Sequence, residues 1–512
     1  MPSVASSYDV IVIGTQLAPL TCGALLAKRG FRVLLVSQDE LPHEYTIGDV
    51  TLPREPFALT AAGTPIARRV FAELALTQLL RRRAVHIDPA FQICTPRWRF
   101  EVPRATEILD REIEREFPEV KRPVEDFWKA LDARGALLDR LMERDLLWPS
   151  QTFFEKRESA RLMAELPFGK DGNAVDPLGE FPPQHPFRLA VELPARFSDG
   201  MDPDQTTGLR LMRHFGAWAS GAAALEGGYA GLRSLLVDSV RTHGGQVREP
   251  EKIDAIRVKR GNATGIRVAA SGEEIGATWI INGAPIGSLL RWVPDRSPFE
   301  RLFEEIGEPV VRYYRYTLNL VLRKDGLPAG LSRDAFYVGD PGRLLADANA
   351  LRIQSEPLDA ERQLITVEAL LPRRGIEDIP DYAYSVRERV LASLGEVMPF
   401  FGDHVELIDS PHDGRGAQDM RAMVSLTSSE PWTRGTATMR AIYGYPVSSM
   451  LGLSALPVRM PVKHLLCCSE QTVPGLGMEG MLLAAWSAAK VVSESDKSRD
   501  RLRRGRWGKL EL

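Results

Sequence analysis

Residues 8–37 read YDVIVIGTQLAPLTCGALLAKRGFRVLLVS, and the fold can be predicted from them. The apolar, β-branched run at 9–13 predicts a strand buried on both faces, and Gly14 ends it. Apolar residues at helical spacing follow, and two cations before a glycine at 28–30 predict the end of that helix. A second apolar run at 32–36 predicts another buried strand. Strand, tight turn, helix and strand in this order form the βαβ unit of a dinucleotide-binding fold.

The turn after the first strand departs from the glycine fingerprint of such units. The pattern G-x-G-x-x-G would place three glycines where this chain has Gly14, Gln16 and Pro19. The second glycine lets the backbone approach a pyrophosphate, and Gln16 puts a side chain into that space. Pro19 is tolerated in the first helical turn but adds bulk where helix and strand pack. The residues therefore predict the scaffold and leave open whether it binds a dinucleotide.

The end of the second strand also departs from the usual pattern. Ser37 stands where an acidic residue would hold a ribose hydroxyl. Ser37 and Gln38 are compatible with a 2′-phosphate, but Asp39 and Glu40 follow them and no Lys or Arg lies close by in the sequence. Because two carboxylates repel a phosphate, we expect no separate NADP site.

Length and composition limit the class of protein. The 512 residues suffice for two or three folding units, and 44% hydrophobic with 26% charged residues is ordinary for a soluble globular protein. A net charge of −3 argues against nucleic acid as a partner. Four scattered cysteines do not predict a disulfide framework and fit a cytoplasmic location. We expect neither a signal peptide nor a membrane span.

The middle of the chain is predicted to alternate between helical and strand-rich parts. Helices are expected over 65–83, 106–144, 232–242 and 382–398, and a hairpin over 91–102. Residues 48–56 are predicted to form a loop, and the proline-rich stretch 176–196 to be irregular. Further strands are expected at 246–248, 253–259, 265–269, 279–282 and 317–322.

The last sixty residues again show the pattern of the N-terminal segment, a buried strand followed by a turn and a helix. A buried strand at 465–468 leads into the glycine-rich turn PGLGMEG at 474–480 and a small-residue helix over 481–493. Strand, glycine-rich turn and helix can bind an anion at the helix N-terminus. The alternative is a tight turn without a ligand.

These segments in this order resemble the phytoene desaturase family, flavoproteins that include retinol saturases and carotenoid isomerases. The resemblance spans nearly the whole chain. The matching segments are 9–36, GGYAGL at 227–232, GGQV at 244–247 with Ile253, WIINGAP at 279–285, and SEQ at 469–471 through 474–480. The C-terminal match is the most specific of them.

The resemblance implies an FAD site built from these segments. Gly14 matches the first phosphate-loop glycine, Ile253 the residue whose backbone meets the adenine, and Glu470 the carboxylate that holds the ribityl chain. Gly477 and Met478 match the turn that faces the flavin ring. The departures from the family pattern are Gln16, Pro19, Ser37 and Ser469, and the loop at 54–56 lacks its usual glycine. The candidate cofactor-binding residues are Gly14, Thr15, Gln16, Leu17, Ser37, Ile253, Ser469, Glu470, Gly477, Met478 and Glu479.

The implied architecture is α/β, with a Rossmann-like FAD/NAD(P)-binding domain interleaved with a sheet-plus-helices substrate domain, as in amine oxidases. The cofactor domain would comprise 1–75, 220–300 and 455–512, and the substrate domain 76–219 and 301–454. The implied activity is an FAD-dependent desaturase, saturase or isomerase acting on an apolar polyene or isoprenoid-like lipid held between the domains. The alternative is a flavin-free descendant that binds a lipid or a protein.

The sequence suggests neither catalytic residues nor a metal site. The eight histidines are spread singly, without metal-ligand spacing. Two basic-flanked segments support a hypothesis of peripheral membrane contact, the apolar stripe over 209–218 and the basic tail over 497–509. The alternatives are an internal wall for the stripe and a solvated helix end for the tail.

Overall fold

A computed structural model describes residues 7–38, 41–182, 185–420, 424–426 and 434–496. Its strands are β1 (Ser7–Ile13), β2 (Val33–Val36), β3 (Glu44–Ile47), β4 (Val50–Pro53), β5 (Ala84–His86), β6 (Phe91–Cys94), β7 (Arg99–Val102), β8 (Ala223–Leu225), β9 (Gln246–Arg248), β10 (Ile253–Lys259), β11 (Asn262–Val268), β12 (Glu274–Asn282), β13 (Val310–Arg323), β14 (Asp334–Val338), β15 (Ala350–Pro357), β16 (Arg362–Pro372), β17 (Val405–Asp409), β18 (Ala417–Asp419), β19 (Val424–Leu426), β20 (Arg440–Gly444) and β21 (Leu465–Cys467). Its α-helices are α1 (Leu17–Lys28), α2 (Pro65–Glu73), α3 (Thr77–Arg83), α4 (Thr106–Glu116), α5 (Lys121–Met142), α6 (Phe153–Ala164), α7 (Pro186–Ser198), α8 (Gly208–Gly221), α9 (Gly228–Thr242), α10 (Ile286–Trp292), α11 (Ser297–Ile306), α12 (Arg373–Asp378), α13 (Tyr382–Val397) and α14 (Gly477–Ser495).

The first sheet contains the predicted βαβ unit at its centre. Its strand order is β10-β11-β12-β1-β2-β9, with β21 beside β12. The strands β21, β12, β1, β2 and β9 run parallel, whereas β10, β11 and β12 form an antiparallel meander. All four residues of β2 are buried, as expected of a parallel strand covered on both faces. The parallel strands therefore end at one edge, and the predicted cofactor residues follow several of those ends.

Helix α1 packs tightly between this sheet and helices α9 and α14. Residues from Leu17 to Ala27 are buried, so the helix has no solvent face over most of its length. A Cβ on Gly23 would lie 3.3 Å from Leu35 Cδ1, which shows how closely the helix approaches β2. Close packing of helix on strand is the property that the fingerprint glycines normally provide.

The second sheet has ten strands in the order β19-β18-β17-β13-β16-β15-β14-β6-β7, with β20 beside β13. The predicted hairpin over 91–102 is present as β6 and β7 at its edge. Alternate residues of β13 face opposite sides of the sheet. Leu318 and Leu320 join the apolar core with helix α13. Thr317 and Asn319 instead donate hydrogen bonds to the carbonyls of Arg54 and Pro53, at 2.6 Å and 2.8 Å.

Two local predictions are wrong. Residues 48–56 contain part of a hairpin, because Gly48 at φ 60° turns the chain between β3 and β4. The proline-rich stretch up to 196 contains most of α7, since Pro186 lies at the helix start, where its missing N–H costs nothing. His185 caps that start by accepting the Phe187 N–H at 3.1 Å.

The predicted helix over 65–83 is present as two helices, which are separated at Ala75 with φ 58°.

The apolar stripe of α8 forms an internal wall. Leu209, Met212, Phe215 and Trp218 are buried in the largest core. The stripe is therefore not exposed to a membrane, and the basic tail over 497–509 lies outside the described residues. Among the described residues no helix is long and apolar enough to cross a membrane. The proposed limits of the two domains stay a prediction.

Candidate functional site

The predicted phosphate-binding turn lies at the carboxyl end of β1, between the ends of β12 and β2. Gly14 adopts φ 106°, a conformation that favours glycine, and donates its N–H to Val36 O at 2.7 Å. Thr15 and Leu17 are buried. Gln16 is half-buried and precedes α1 without a side-chain capping bond. The side chain therefore stands at the helix N-terminus, where a pyrophosphate would approach.

The predicted ribose position is already bonded to the protein. Ser37 follows β2, and its Oγ accepts the Glu251 N–H at 3.1 Å. The next residue, Gln38, accepts the Ile253 N–H on Oε1 at 2.7 Å and lies 3.4 Å from Ile253 O through Nε2. Both polar groups of the Ile253 backbone thus face one buried side-chain amide. Sequence reasoning considered Gln38 only as a neighbour of a 2′-phosphate and missed its contact with Ile253, since nothing in the nearby sequence signals a contact with residues 251–253.

Glu470, the predicted ribityl ligand, forms an ion pair with Arg440 of β20. The Glu470 and Arg440 side chains approach to 2.8 Å, and Glu55 lies 2.7 Å from the same guanidinium. Burial would lower the pKa of Arg440, but Glu470 and Glu55 raise it above its ordinary value. Sequence reasoning missed Arg440 because it lies on a strand of the other sheet. Arg440 therefore connects the C-terminal signature to the loop at 54–56.

Two aromatic rings, those of His43 and Tyr229, lie close enough to these charges to interact with them electrostatically. The His43 ring contacts the Tyr229 ring in a tilted arrangement, with centroids 4.1 Å apart and an interplanar angle of 56°, and burial lowers the pKa of His43 to about 4. His43 is therefore neutral at physiological pH and contributes no positive charge to this carboxylate pair.

The C-terminal turn is buried and tightly packed. Gly477 adopts φ 51°, and a Cβ there would lie 2.2 Å from Ser198 O. Met478 follows in the first turn of α14, and Ser469 Oγ accepts the Gln471 N–H at 3.2 Å. The predicted glycine-rich turn is thus present, and only glycine fits at Gly477.

Glu479, another predicted cofactor residue, is bonded to Arg213 of α8. Its two oxygens accept from Arg213 at 2.6 Å and 2.7 Å, and Asp139 of α5 lies 2.8 Å from the same guanidinium. Burial would lower the pKa of Arg213, but Glu479 and Asp139 raise it above its ordinary value. The triad ties α14 to the helices α5 and α8.

The structure brings the predicted residues to one edge of the first sheet. Gly14 to Leu17 follow β1, Ser37 follows β2, and Ser469 to Glu479 follow β21. Ile253 opens β10 and reaches this edge through Gln38. Asn282 ends β12 there, and its buried Oδ1 has no hydrogen-bond partner among the described residues. A buried acceptor at the carboxyl edge fits a polar ligand group.

Buried ion pairs lie where the second sheet meets helices α7 and α8. Arg315 is bonded to Glu368 and, at 3.0 Å, to Phe197 O, and all of these groups are buried. Arg210 forms a buried ion pair with Asp199 through its Nε at 2.6 Å. Burial would raise the pKa of Asp199, but Arg210 and His214 hold it below its usual value.

Apolar space lies elsewhere, between α5, α8 and residues 60–64. A cavity of about 410 Å³ is lined there by Leu131, Phe168, Leu209 and Met212 with several glycines. Arg213 lies on its wall, so the ion pair with Glu479 connects the cavity to the first turn of α14. Within the described residues no three His, Cys, Asp or Glu side chains group as metal ligands.

The two halves of the implied FAD site differ in how they fit the cofactor. At the ADP half the Gln38 amide faces the backbone groups expected for adenine, and Gln16 stands where the pyrophosphate would approach. This half does not fit FAD. At the flavin half Glu470, the turn at Gly477 and the unpartnered Asn282 Oδ1 are compatible with a bound polar ring.

Comparison with known proteins agrees with the resemblance. No protein-family model matches the chain. It is 25% identical over 325 residues to the phytoene desaturase (neurosporene-forming) of Cereibacter sphaeroides, and this match spans 58% of each protein. In structure it is similar to an oxidoreductase from Methanosarcina mazei, with TM-score 0.56 and 14% identity over 94% of this chain and 99% of that one. It is equally similar to putrescine oxidase bound to putrescine, with TM-score 0.56 and 13% identity over 95% and 99%.

The structural likenesses show the fold of the protein. The fold is the α/β, amine-oxidase-like fold of FAD-dependent oxidoreductases. In sequence the chain is similar to a phytoene desaturase, in agreement with the resemblance described above. The matched segment is just over half the length of the curated relative, so activity and substrate are matters of proposal.

Proposed function

We propose that this protein is an FAD-dependent oxidoreductase, a desaturase, saturase or isomerase that acts on an apolar polyene or isoprenoid-like lipid. The observation that carries the proposal is the buried turn at Gly477, which follows β21 at the edge where β1 and β2 also end. Carboxyl ends of parallel strands at a topological switch point are where this class of fold binds its cofactor. When bound, flavin would accept or donate the hydride.

The chain's own residues would position the ring and the substrate. Glu470, fixed by Arg440 at 2.8 Å, offers a carboxylate for the ribityl hydroxyls. The N-terminus of α14 favours negative charge on a group placed against it. Phe168 and Leu209 with the other apolar side chains of the cavity would hold a lipid chain away from water.

Flavin content tests the proposal. The protein is purified without added cofactor, and absorbance at about 450 nm is compared with protein concentration. We expect substoichiometric flavin, since the ADP half does not fit, and a rise when FAD is added in excess. An absence of flavin under both conditions would exclude the proposed redox activity. Added riboflavin serves as a control, because it contacts only the flavin half.

A flavin-free binding protein is the second candidate function, and one observation favours it. Gln38 satisfies the Ile253 backbone without any ligand, as expected of a site that has lost its cofactor. In that case the cavity beside α8 would bind an apolar molecule although no flavin is bound. Lipid binding by a preparation that takes up neither FAD nor riboflavin would support this candidate.

A further inference from the structure

Gln38 lies at the end of the first sheet and forms hydrogen bonds with Glu251 and Ile253, which are far away in the sequence. Its side chain is 5% exposed, and its amide accepts the Ile253 N–H at 2.7 Å and donates toward Ile253 O at 3.4 Å. Its backbone adopts φ 57°, which is uncommon for a residue other than glycine, and its N–H donates to Glu251 O at 2.8 Å. The backbone is thus held in an unfavoured conformation that places the amide on Ile253.

The position of this contact corresponds to the nucleoside end of a dinucleotide crevice. Gln38 follows Ser37, and Ser37 occupies the position at the end of β2 where a ribose partner is expected. Ile253 lies across from it at the start of β10. A nucleoside whose ribose lay at Ser37 would bring its base to the space that the Gln38 amide fills.

The amide also matches the base-pairing edge of adenine in its hydrogen-bonding groups. A primary amide presents one acceptor and one donor side by side in a plane. The N1 and 6-amino groups of adenine present the same pair, and both would bond the N–H and C=O of one residue. Guanine presents an acceptor, O6, where adenine has its 6-amino donor, and a donor, N1–H, where adenine has its N1 acceptor. Guanine therefore cannot form the same two hydrogen bonds with Ile253.

We propose that Gln38 is an internal substitute for an adenine edge, so that an adenine nucleotide binds at Ile253 only when the Gln38 amide leaves it. The inference deepens the proposed function and rests on it for the identity of the cofactor. It assigns Gln38 as the residue that limits nucleotide affinity.

Replacement of Gln38 tests this directly. Gln38→Gly removes the amide and suits the left-handed backbone, so the fold is retained. We expect affinity for AMP, measured by titration calorimetry, to rise about tenfold or more, because Ile253 regains two hydrogen bonds with the ligand. Affinity for GMP should stay unchanged. Ala75→Gly, at a comparable φ of 58° away from the crevice, is the matched control and should leave both affinities unchanged.

A second variant keeps the length of the side chain. Gln38→Glu retains an acceptor for the Ile253 N–H but loses the donor to Ile253 O, so a smaller rise in AMP affinity is expected. The inference is overturned if both variants bind AMP as the natural protein does, or if GMP affinity rises equally. If AMP affinity rises while no preparation takes up flavin, the inference stands and the proposed redox function fails. If the natural protein carries full flavin and AMP affinity is unchanged in the variants, the inference fails and the proposed redox function stands.

Discussion

The ring of Pro19 fills the space that a side chain on Gly283 would need. A Cβ on Gly283 would lie 2.4 Å from Pro19 Cγ and 2.5 Å from Pro19 Cβ. The bulk expected from the missing fingerprint glycine is therefore accommodated by a glycine that follows β12. Helix α1 therefore packs closely on the sheet with Pro19 in its first turn, because Gly283 has no side chain at this contact.

Gly283→Ala is expected to destabilise the fold by about 1–3 kcal/mol, because it overpacks this contact. Adding Pro19→Gly should recover part of the loss, but not all, since the new Cβ would still lie 2.7 Å from Ile13 O. Urea unfolding of both single variants and the double variant measures the coupling. Gly287→Ala, whose Cβ meets nothing within 4 Å, is the control. Additive losses would show that the two residues do not share this space.

FAD occupancy is expected to rise when the residues that depart from the family pattern in the ADP half are replaced together. Gln16→Gly with Ser37→Glu should raise FAD occupancy, since a restored charged hydrogen bond is worth roughly 1.5–3 kcal/mol, a factor of about ten to a hundred. Addition of Gln38→Gly should raise it further, because the Ile253 backbone becomes accessible. The ratio of absorbance at about 450 nm to protein measures occupancy, with thermal melting as the check on folding. No gain from the triple variant over the natural protein would contradict the interpretation of this half as the limiting one.

Stability should depend on pH through His412. The ring is buried, its Nδ1 lies 2.9 Å from Thr438 Oγ1, and burial together with Arg54 and Arg434 lowers its pKa from 6.5 to about 3. The unfolded chain therefore binds a proton between these values that the folded chain does not, so stability falls as pH falls through this window. The loss should be about 2 kcal/mol between pH 7 and pH 5.

His412→Phe should flatten that dependence, as measured by urea unfolding at several pH values. His86 is exposed on β5, and His86→Gln is the matched control that should leave the slope unchanged. An equal slope in the natural protein and in His412→Phe would show that other groups carry the pH dependence.

The cavity beside α8 should accept an apolar chain. Gly135 of α5 lines it, and a Cβ there meets nothing within 4 Å, so Gly135→Leu would place its side chain into this space. We expect binding of a fluorescent polyene fatty acid to fall about tenfold while the melting temperature is kept, because the lost apolar contact is worth about 1–2 kcal/mol. Gly395→Leu on α13, also without a neighbour within 4 Å, is the control. Unchanged binding would move the lipid site away from this cavity.

Elements with a local pattern could be predicted from the amino-acid sequence alone. The run at 9–13, the helix that follows it and the second strand predicted the βαβ unit, and all three are present. The hairpin over 91–102 and the strand, glycine turn and helix at the C-terminus were likewise predicted from residues close in the chain. Such elements are readable because hydrophobic period and turn residues act over a few neighbours.

Which side chains occupy the candidate site depends instead on contacts between residues that are far apart in the sequence. Gln38 on Ile253, Arg440 on Glu470, Arg213 on Glu479 and Pro19 on Gly283 each join segments far apart in the chain. No local pattern encodes such a pair, because the partner is set by which strands and helices become neighbours. In the sequence, Gln16 and Pro19 are both departures from the glycine fingerprint. In the folded chain Pro19 is accommodated by packing against Gly283, whereas Gln16 stays at the start of α1, at the crevice. The scaffold thus follows from local sequence, and the state of the cofactor site follows from contacts that only the folded chain creates.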